Sequence, residues 1–291
     1  MSGNENVVIN WYESHWDPGF VRWWKGHETL GLHDGYYEKG TKNFEEALLN
    51  MNDLVGRLLE LKYDRPVRIL DAGCGVGGTS IYLGNKFPNA KFTGITISPK
   101  QIEWATKFAK ERNINKNANF LLNNYMKTEF PDEYFDGVFA LESMDYAPDK
   151  RAFLKEMNRI LKPGGTLVVI DPFIIRILNN PLMKKIYRLY YEGRGAPVFT
   201  VFDEFKSYLN LEGFNNIKVK DLSKNIVRSE IRSFVLSFPF MVSVLFKKLT
   251  KRKKYDPSKD IDYYLAVGFL SPLMGISGTA AYYAVSATKK N

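Results

Sequence analysis

"RILDAGCGVGGTSIYLGNKFPNAKFTGITIS", residues 68–98, decides the reading of this chain. An apolar run, Val67 to Leu70, ends in an acid, Asp71, and glycine then stands at every second position: Gly73, Gly75 and Gly77. The run has the composition of a short buried strand. The glycines let the backbone take conformations that other residues avoid, and let a ligand approach closely. "GGTSIYLGNKF" behind them opens a helix whose first N–H groups are unpaired and suit a polar ligand. "KFTGITI" reads as a second strand. Strand, acid, glycine turn, helix and second strand at this spacing make a nucleotide-type site. The dinucleotide fingerprint is G-x-G-x-x-G; the stretch G-C-G-V-G-G puts glycine at every second position, with the acid two residues ahead of the first.

Outward from this turn the pattern continues. "NFEEALLNMNDLVGRLLELK", Asn43 to Lys62, has apolar residues at 48, 49, 51, 54, 55, 58, 59 and 61, an amphipathic helix. Ser98 caps a helix, "PKQIEWATKFAKERN", with proline in its first turn. "ANFLLN", "FDGVFALES" and "GTLVVIDPF" read as strands three to five, the helix "DKRAFLKEMNRIL" lies between the last two, and Lys162-Pro163-Gly164-Gly165 closes it. Strands alternating with helices imply parallel βαβ units in a doubly wound α/β sheet. "NNIKVKDL" and "TAAYYAVSATKK" would be strands six and seven at its far edge. Residues 1–40, rich in Trp, Tyr, His and Gly without a period, read as a lid of short helices.

"ILDAGCGVGG" resembles motif I of the class I S-adenosylmethionine-dependent methyltransferases. "FTGITIS", "FLLNNYMKTEFPDEYFDGVFALESMDYAP", "FLKEMNRILKPGG" and "AYYAVSATKK" resemble further segments of that family in order. The resemblance implies a seven-stranded Rossmann-like methyltransferase sheet with an N-terminal helical lid and an inserted helical cap. The division expected is 1–42 lid, 43–175 cofactor-binding core, and 176–291 cap, acceptor region and last two strands. It implies S-adenosyl-L-methionine as cofactor. Asp71 would sit near the methionine amine, with Gly73, Gly75 and Gly77 under the methionine and ribose. Thr96, Ser98 and Gln101 would lie by the ribose and adenosine. Most of the family ends strand two in Asp or Glu to clasp the ribose; Ile95-Thr96-Ile97-Ser98 has no acid, as in the cyclopropane fatty acid synthase branch. Asn124, where the family often has Asp, would accept from the adenine amine, with Tyr125 beside the ring.

The acceptor is read from what surrounds that core. In "ALESMDYAP", Glu142 stands where sterol C-methyltransferases and their relatives carry an acid. A carboxylate there would stabilise a carbocation or take its proton; equally, Glu142 would only bind cofactor or hold a loop. "HETLGLHDGYYEKG", residues 27–40, resembles the lid of sterol, tocopherol and small-amine methyltransferases. Tyr36 and Tyr37 would close over the cofactor, and His33 would touch the acceptor, with lid packing as the plain alternative. "PLMKKIYRLYYEGRGAPVFTVFDEFKSYL" and "RSFVLSFPFMVSVLFKKL" would roof the active face with apolar side chains. These features together imply a lipophilic, isoprenoid-derived acceptor: a prenyl diphosphate, a sterol-like molecule or a prenylated quinol. C-methylation of an alkene is the reaction considered first. An N- or O-methyltransferase of a small amine or phenol is the alternative, and a cofactor-binding scaffold without turnover the non-enzymatic one.

Composition sets the remaining bounds. The chain has 291 residues, a net charge of +9 and one cysteine, Cys74, so no intrachain disulfide forms. The first twenty residues carry no basic segment followed by an apolar one, and a cytoplasmic enzyme is expected. Histidines 15, 27 and 33 lack metal-ligand spacing, so no metal is expected. The basic run Lys247–Lys254 has no interleaved aromatics and no nucleic-acid module around it, so nucleic acid is not expected as a partner. A solvated surface, a diphosphate or peripheral membrane contact remain open for it, as does the oligomeric state. The uncharged stretch Tyr263–Thr288 is broken by Pro272 and glycines and reads as a core helix, a turn and a buried strand rather than a membrane span.

Overall fold

Successive side chains of β1 (Val67–Ala72) enter two different cores, as the period of a strand requires. In this computed structural model, which describes residues 26–176, 180–194, 200–251 and 266–291, Ile69 packs on one side and Leu70 on the other. The same alternation separates Phe139 from Val138 and Val168 from Val169. One core takes the apolar faces of α1 (Phe44–Leu58), α2 (Gly78–Lys86) and α3 (Pro99–Glu111). The other takes α4 (Lys150–Ile160) and α6 (Phe202–Leu211), with α5 (Pro181–Arg194) lying between them in the chain. Helices on both faces make a doubly wound sheet.

The seven strands run in the order β3-β2-β1-β4-β5-β7-β6. The others are β2 (Ala90–Thr96), β3 (Ala118–Leu122), β4 (Phe135–Leu141), β5 (Leu161–Ile174), β6 (Phe214–Asp221) and β7 (Ala280–Lys289). β3, β2, β1, β4 and β5 are parallel; β7 runs antiparallel between β5 and β6. The expected strands six and seven are both present, with the last strand inserted inside the edge. The order reverses between β1 and β4, and in such sheets the crevice for ligands opens beyond the carboxyl ends of these strands. Because β7 is antiparallel, its first residues reach that same end: Tyr282 pairs with Pro172 near the end of β5.

Caps follow the sequence. Asn43, Ser98 and Asp149 accept from Glu46 N, Gln101 N and Ala152 N at the starts of α1, α3 and α4. Two boundaries differ from expectation. α1 stops at Leu58, short of Lys62, because Glu60 turns left-handed at φ 55°. Lys162-Pro163-Gly164-Gly165 does not end a helix but runs within β5, where pairing passes from Phe135–Leu161 to Gly137–Thr166 across a register shift.

Of the N-terminal lid, residues 26–42 are described: one helical turn, Gly26–Thr29, then non-repetitive chain. The Leu30 carbonyl lies 2.5 Å from where a Cβ on Gly78 would stand, so the lid crosses directly over the start of α2. His15 lies outside the described residues. The cap needs correction. α5 does cover the sheet end, with Tyr187, Tyr190 and Tyr191 packed on Ile174. The 29-residue α7 (Ser223–Lys251), expected as apolar lining, instead turns most of its large apolar side chains outward. A helix apolar round much of its surface can bury only one face. By length and composition, α7 is also the one helix among the described residues able to cross a membrane, whereas Tyr263–Thr288 contributes the short α8 (Ser271–Ile276) and β7.

Candidate active site

The glycine turn closes the end of β1 and is pinned to β2, with Gly73 N and Cys74 N donating to Ile95 O at 3.0 and 2.9 Å. Its three glycines answer three different demands. At Gly73 (φ 97°) a Cβ would collide with Ser143, and at Gly77 (φ 82°) with the Phe120 ring. At Gly75 (φ 51°) a Cβ would meet nothing within 4 Å. Only Gly75 therefore faces open space, and that space is where a ligand can reach the backbone. Sequence reasoning put all three under the ligand; at Gly73 and Gly77 packing also demands glycine.

Asp71 is buried behind the turn, and Ser80 Oγ donates to it at 2.7 Å. Burial pushes its carboxyl up to about 7, with the Ser80 bond opposing. The neighbouring Cys74 thiol is likewise pushed up by burial, then by the Asp71 charge.

At the end of β2 the acid-free segment is knit to itself. Thr96 Oγ1 donates to Gln101 Oε1 at 2.6 Å, Ser98 N donates to Thr96 Oγ1 at 3.3 Å, and Gln101 N donates to Ser98 Oγ at 3.3 Å. All three residues are buried. Beyond β3, the Asn124 side-chain carbonyl accepts from Met126 N at 2.8 Å. Tyr125 OH donates to Ser143 O at 3.0 Å, and its ring meets Phe153 edge-on at 5.3 Å. Ser143, which sequence reasoning passed over, donates from Oγ to Ala72 O at 2.5 Å and so joins the turn after β4 to the end of β1.

Glu142 begins that turn in the left-handed region, φ 49°, uncommon for a side chain with a Cβ and of the kind that gathers at functional sites. Its N–H donates to Ile170 O at 2.8 Å, which fixes the backbone to β5. Its Oε1 accepts from Asp34 N of the lid and from Tyr282 OH of β7, both at 2.6 Å. Burial, then the Glu142 charge, raises the Tyr282 phenol well above its ordinary value, so it stays a donor. Neither partner was legible from spacing: they stand 108 and 140 residues away.

The lid residues are sorted by the structure. His33 is buried, within 3.0 Å of Asp34 O through Nδ1 and 3.1 Å of Asn52 Oδ1 through Nε2. Burial lowers its pKa, favouring a neutral ring held inside the lid. Tyr36 does not close over the turn: it is 5% exposed within the core, and Lys220 Nζ donates to its hydroxyl at 2.9 Å. Tyr37 lies under the Arg228 guanidinium, 4.4 Å from its ring; its N–H donates to Asn225 O of α7, and Asn225 Nδ2 donates to its carbonyl. Both tyrosines tie lid to α7 and β6, because these elements offer cations to their rings.

A cavity of about 370 Å³ opens at the ends of β5 and β7, with Glu142, Asp34 and Tyr282 on one side. Its other wall comes from α7 and α8, through Val227, Ile231, Pro272 and Ile276. Glu230 of α7 also lines it, with its carboxyl raised to about 7 by burial. Among the described residues no group of three or more His, Cys, Asp and Glu could hold a metal.

A family model described as a methyltransferase domain matches residues 70–169, from β1 through β5. The 27-O-demethylrifamycin SV methyltransferase of Amycolatopsis mediterranei is 31% identical over 66% of this chain and 70% of its own length. The chain belongs to the class I S-adenosylmethionine-dependent methyltransferases. This methyltransferase is also 30% identical to the sterol 24-C-methyltransferase of Kluyveromyces lactis, over 76% of the chain but 56% of that protein. In fold it resembles a cyclopropane synthase from Mycobacterium tuberculosis, TM-score 0.79 at 15% identity, covering 99% of both chains. It resembles equally the geranyl diphosphate C-methyltransferase of Streptomyces coelicolor, TM-score 0.75 at 14% identity, covering 99% of this chain and 98% of that one. S-adenosyl-L-methionine is the methyltransferase's cofactor. The residues present fit it: a left-handed glycine turn opens to free space at Gly75, with a buried carboxylate behind it for a cationic ligand.

Proposed function

We propose that this methyltransferase acts on a lipophilic, isoprenoid-derived acceptor and methylates an alkene carbon. The observation that carries the reading is the cavity itself. Glu142 is oriented by two short hydrogen bonds, and the facing wall from α7 and α8 is largely aliphatic, with Val227, Ile231, Pro272 and Ile276 beside Lys224 and Glu230. An amine the size of glycine needs no such wall, whereas a prenyl chain does. Relatives named for a sterol and for geranyl diphosphate support the same class. The cofactor supplies an activated methyl group on a sulfonium. When the alkene π pair takes that methyl, positive charge is left on the acceptor. The Glu142 carboxylate lowers the energy of that charge and accepts the departing proton. Tyr282 and Asp34 N–H hold the carboxylate in place. His33 acts through Asp34, whose carbonyl its Nδ1 contacts, as a positioning residue of the lid.

On the cofactor side, Gly75 gives the close approach, Asp71 faces the methionine amine, Thr96, Ser98 and Gln101 line the ribose side, and Asn124 with Tyr125 flanks the adenine. Asp71 gives a prediction. Its carboxyl is raised from 3.8 to about 7 in the cofactor-free fold. A raised acid holds its proton more tightly when folded. Its favourable contribution is therefore present below about pH 4 and is lost as pH climbs to about 7. A cationic ligand reverses the preference and favours the ionised form. Cofactor affinity, measured by calorimetry, rises with pH between about 5 and 7 by up to tenfold per unit. Asp71→Asn flattens that rise. An unchanged slope in the variant would take Asp71 out of the cofactor site.

The acceptor is tested by turnover with prenyl diphosphates, a sterol, a prenylated quinol, glycine and a simple phenol, read as a mass gain of one methyl group. Methylation of an alkene-bearing lipid is the expected result. Methylation of the phenol or glycine alone would replace this reading with O- or N-transfer, the former being the reaction named for the rifamycin relative.

A further inference from the structure

The α7 wall of the cavity holds a second carboxyl, Glu230, that the chemistry at Glu142 does not use. Lys224, Val227, Glu230 and Ile231 line the cavity together, a spacing of three and four residues that turns one face of the helix toward it. Glu230 is half-buried, and among the described residues no group hydrogen-bonds to it or pairs with its charge. Its oxygens lie instead against α8. A Cβ on Gly275 would stand 3.3 and 3.7 Å from the two of them. Gly275 does not take a positive φ, so its backbone makes no demand for glycine; the missing side chain leaves room for the carboxyl. Burial without a partner raises that carboxyl to about 7. Keeping it there is unfavourable for the fold until something donates to it.

One frame holds both carboxyls. Glu142 Oε1 accepts from Asp34 N at 2.6 Å; the next residue of the lid, Gly35, donates from N to Ser229 Oγ at 2.8 Å; and Ser229 precedes Glu230 on α7. A molecule bound between the two carboxyls is therefore gripped at a fixed distance from its reacting carbon. We propose that Glu230 is a specificity-determining residue, which accepts a hydrogen bond from a hydroxyl at the end of the acceptor remote from Glu142 and so selects a neutral isoprenoid alcohol, prenyl or sterol-like, over a prenyl diphosphate. This rests on the acceptor class proposed above. The charge of the cavity favours the alcohol. Among the described residues that line it, Lys224 is the one cation, beside three acids, Asp34, Glu142 and Glu230. A diphosphate would meet net repulsion there. A hydroxyl suits Glu230 in either protonation state, because it donates to the carboxylate and accepts from the acid.

The test is equilibrium binding to the full chain, with S-adenosylhomocysteine present, of radiolabelled farnesol and lanosterol, of the methyl ether of each, and of farnesyl diphosphate. At least one alcohol is expected to bind about tenfold tighter, or more, than its own ether and than the diphosphate. Glu230→Leu removes an unpaired, half-buried carboxyl, so its melting temperature equals or exceeds that of the parent protein. It weakens alcohol binding about tenfold, to the level of the ether, and leaves the ether unchanged. Glu230→Gln keeps an oxygen that accepts, and restores most of the preference. Three results overturn the role of Glu230 while the lipophilic acceptor stands: alcohol and ether binding alike in the parent protein, diphosphate binding tighter than either alcohol, or an alcohol preference that survives in Glu230→Leu. Failure of every one of these lipids to bind overturns the acceptor class and the role of Glu230 together. Binding is read without turnover, so an error about the chemistry of Glu142 leaves the result untouched.

Discussion

Glu142→Gln lowers turnover by about two orders of magnitude or more, the scale on which a general base or a charge stabiliser contributes. Cofactor affinity stays within about tenfold. The structure says why the variant is informative. Both hydrogen bonds to Glu142 are accepted by one oxygen, Oε1, from Asp34 N and Tyr282 OH. A glutamine amide oxygen accepts the same two bonds, so the side chain keeps its place and loses its charge. The left-handed backbone at 142 is fixed by the bond to Ile170 O and is unchanged by the substitution. Single-turnover rates and calorimetric cofactor binding, measured side by side, read the two effects separately. Turnover equal to that of the parent protein would leave Glu142 as a strut between lid and β7.

Gly75→Val abolishes measurable cofactor binding, a loss of at least a hundredfold, and the chain remains folded. Two causes act together. Valine places branched atoms in the open space in front of the turn, where Gly75 leaves room for a close ligand. It is also β-branched at φ 51°, a strain of about 1–3 kcal/mol. Gly77→Val is the control that separates binding from folding. There the new side chain enters the Phe120 ring inside the core at φ 82°, and the loss is one of stability, several kcal/mol in a urea titration. Equal cofactor affinity in Gly75→Val and the parent protein would remove the turn from the binding site.

The contrast between these glycines shows where the sequence stops being informative. The alternation Gly73, Gly75, Gly77 marks a turn with positive φ at each, and the structure has that turn. Spacing alone does not say which glycine faces open space, which meets Ser143 and which meets Phe120, because those neighbours come from the turn after β4 and from β3. Tyr36 and Tyr37 fail for the same reason. Two adjacent aromatics in a lid read as a gate, but Lys220 and Arg228, from distant elements, hold them as struts to β6 and α7.

The sequence by itself determined the doubly wound sheet, the order of strands and helices and the cap at Ser98, and its resemblance to a known family carried the methyltransferase assignment. The elements rest on local periodicity and on backbone conformations that particular residues permit, which neighbours in the chain decide. Only the tertiary structure decided that Asp34 and Tyr282 orient Glu142, that β7 inserts antiparallel beside β5 to bring Tyr282 there, and that α7 shows water an apolar face. The partners of Glu142 are 108 and 140 residues distant along the chain. A helix apolar on several sides carries no sign of which side the body will cover. Contacts of that range are set by how whole layers pack, and packing selects among faces that the sequence offers alike.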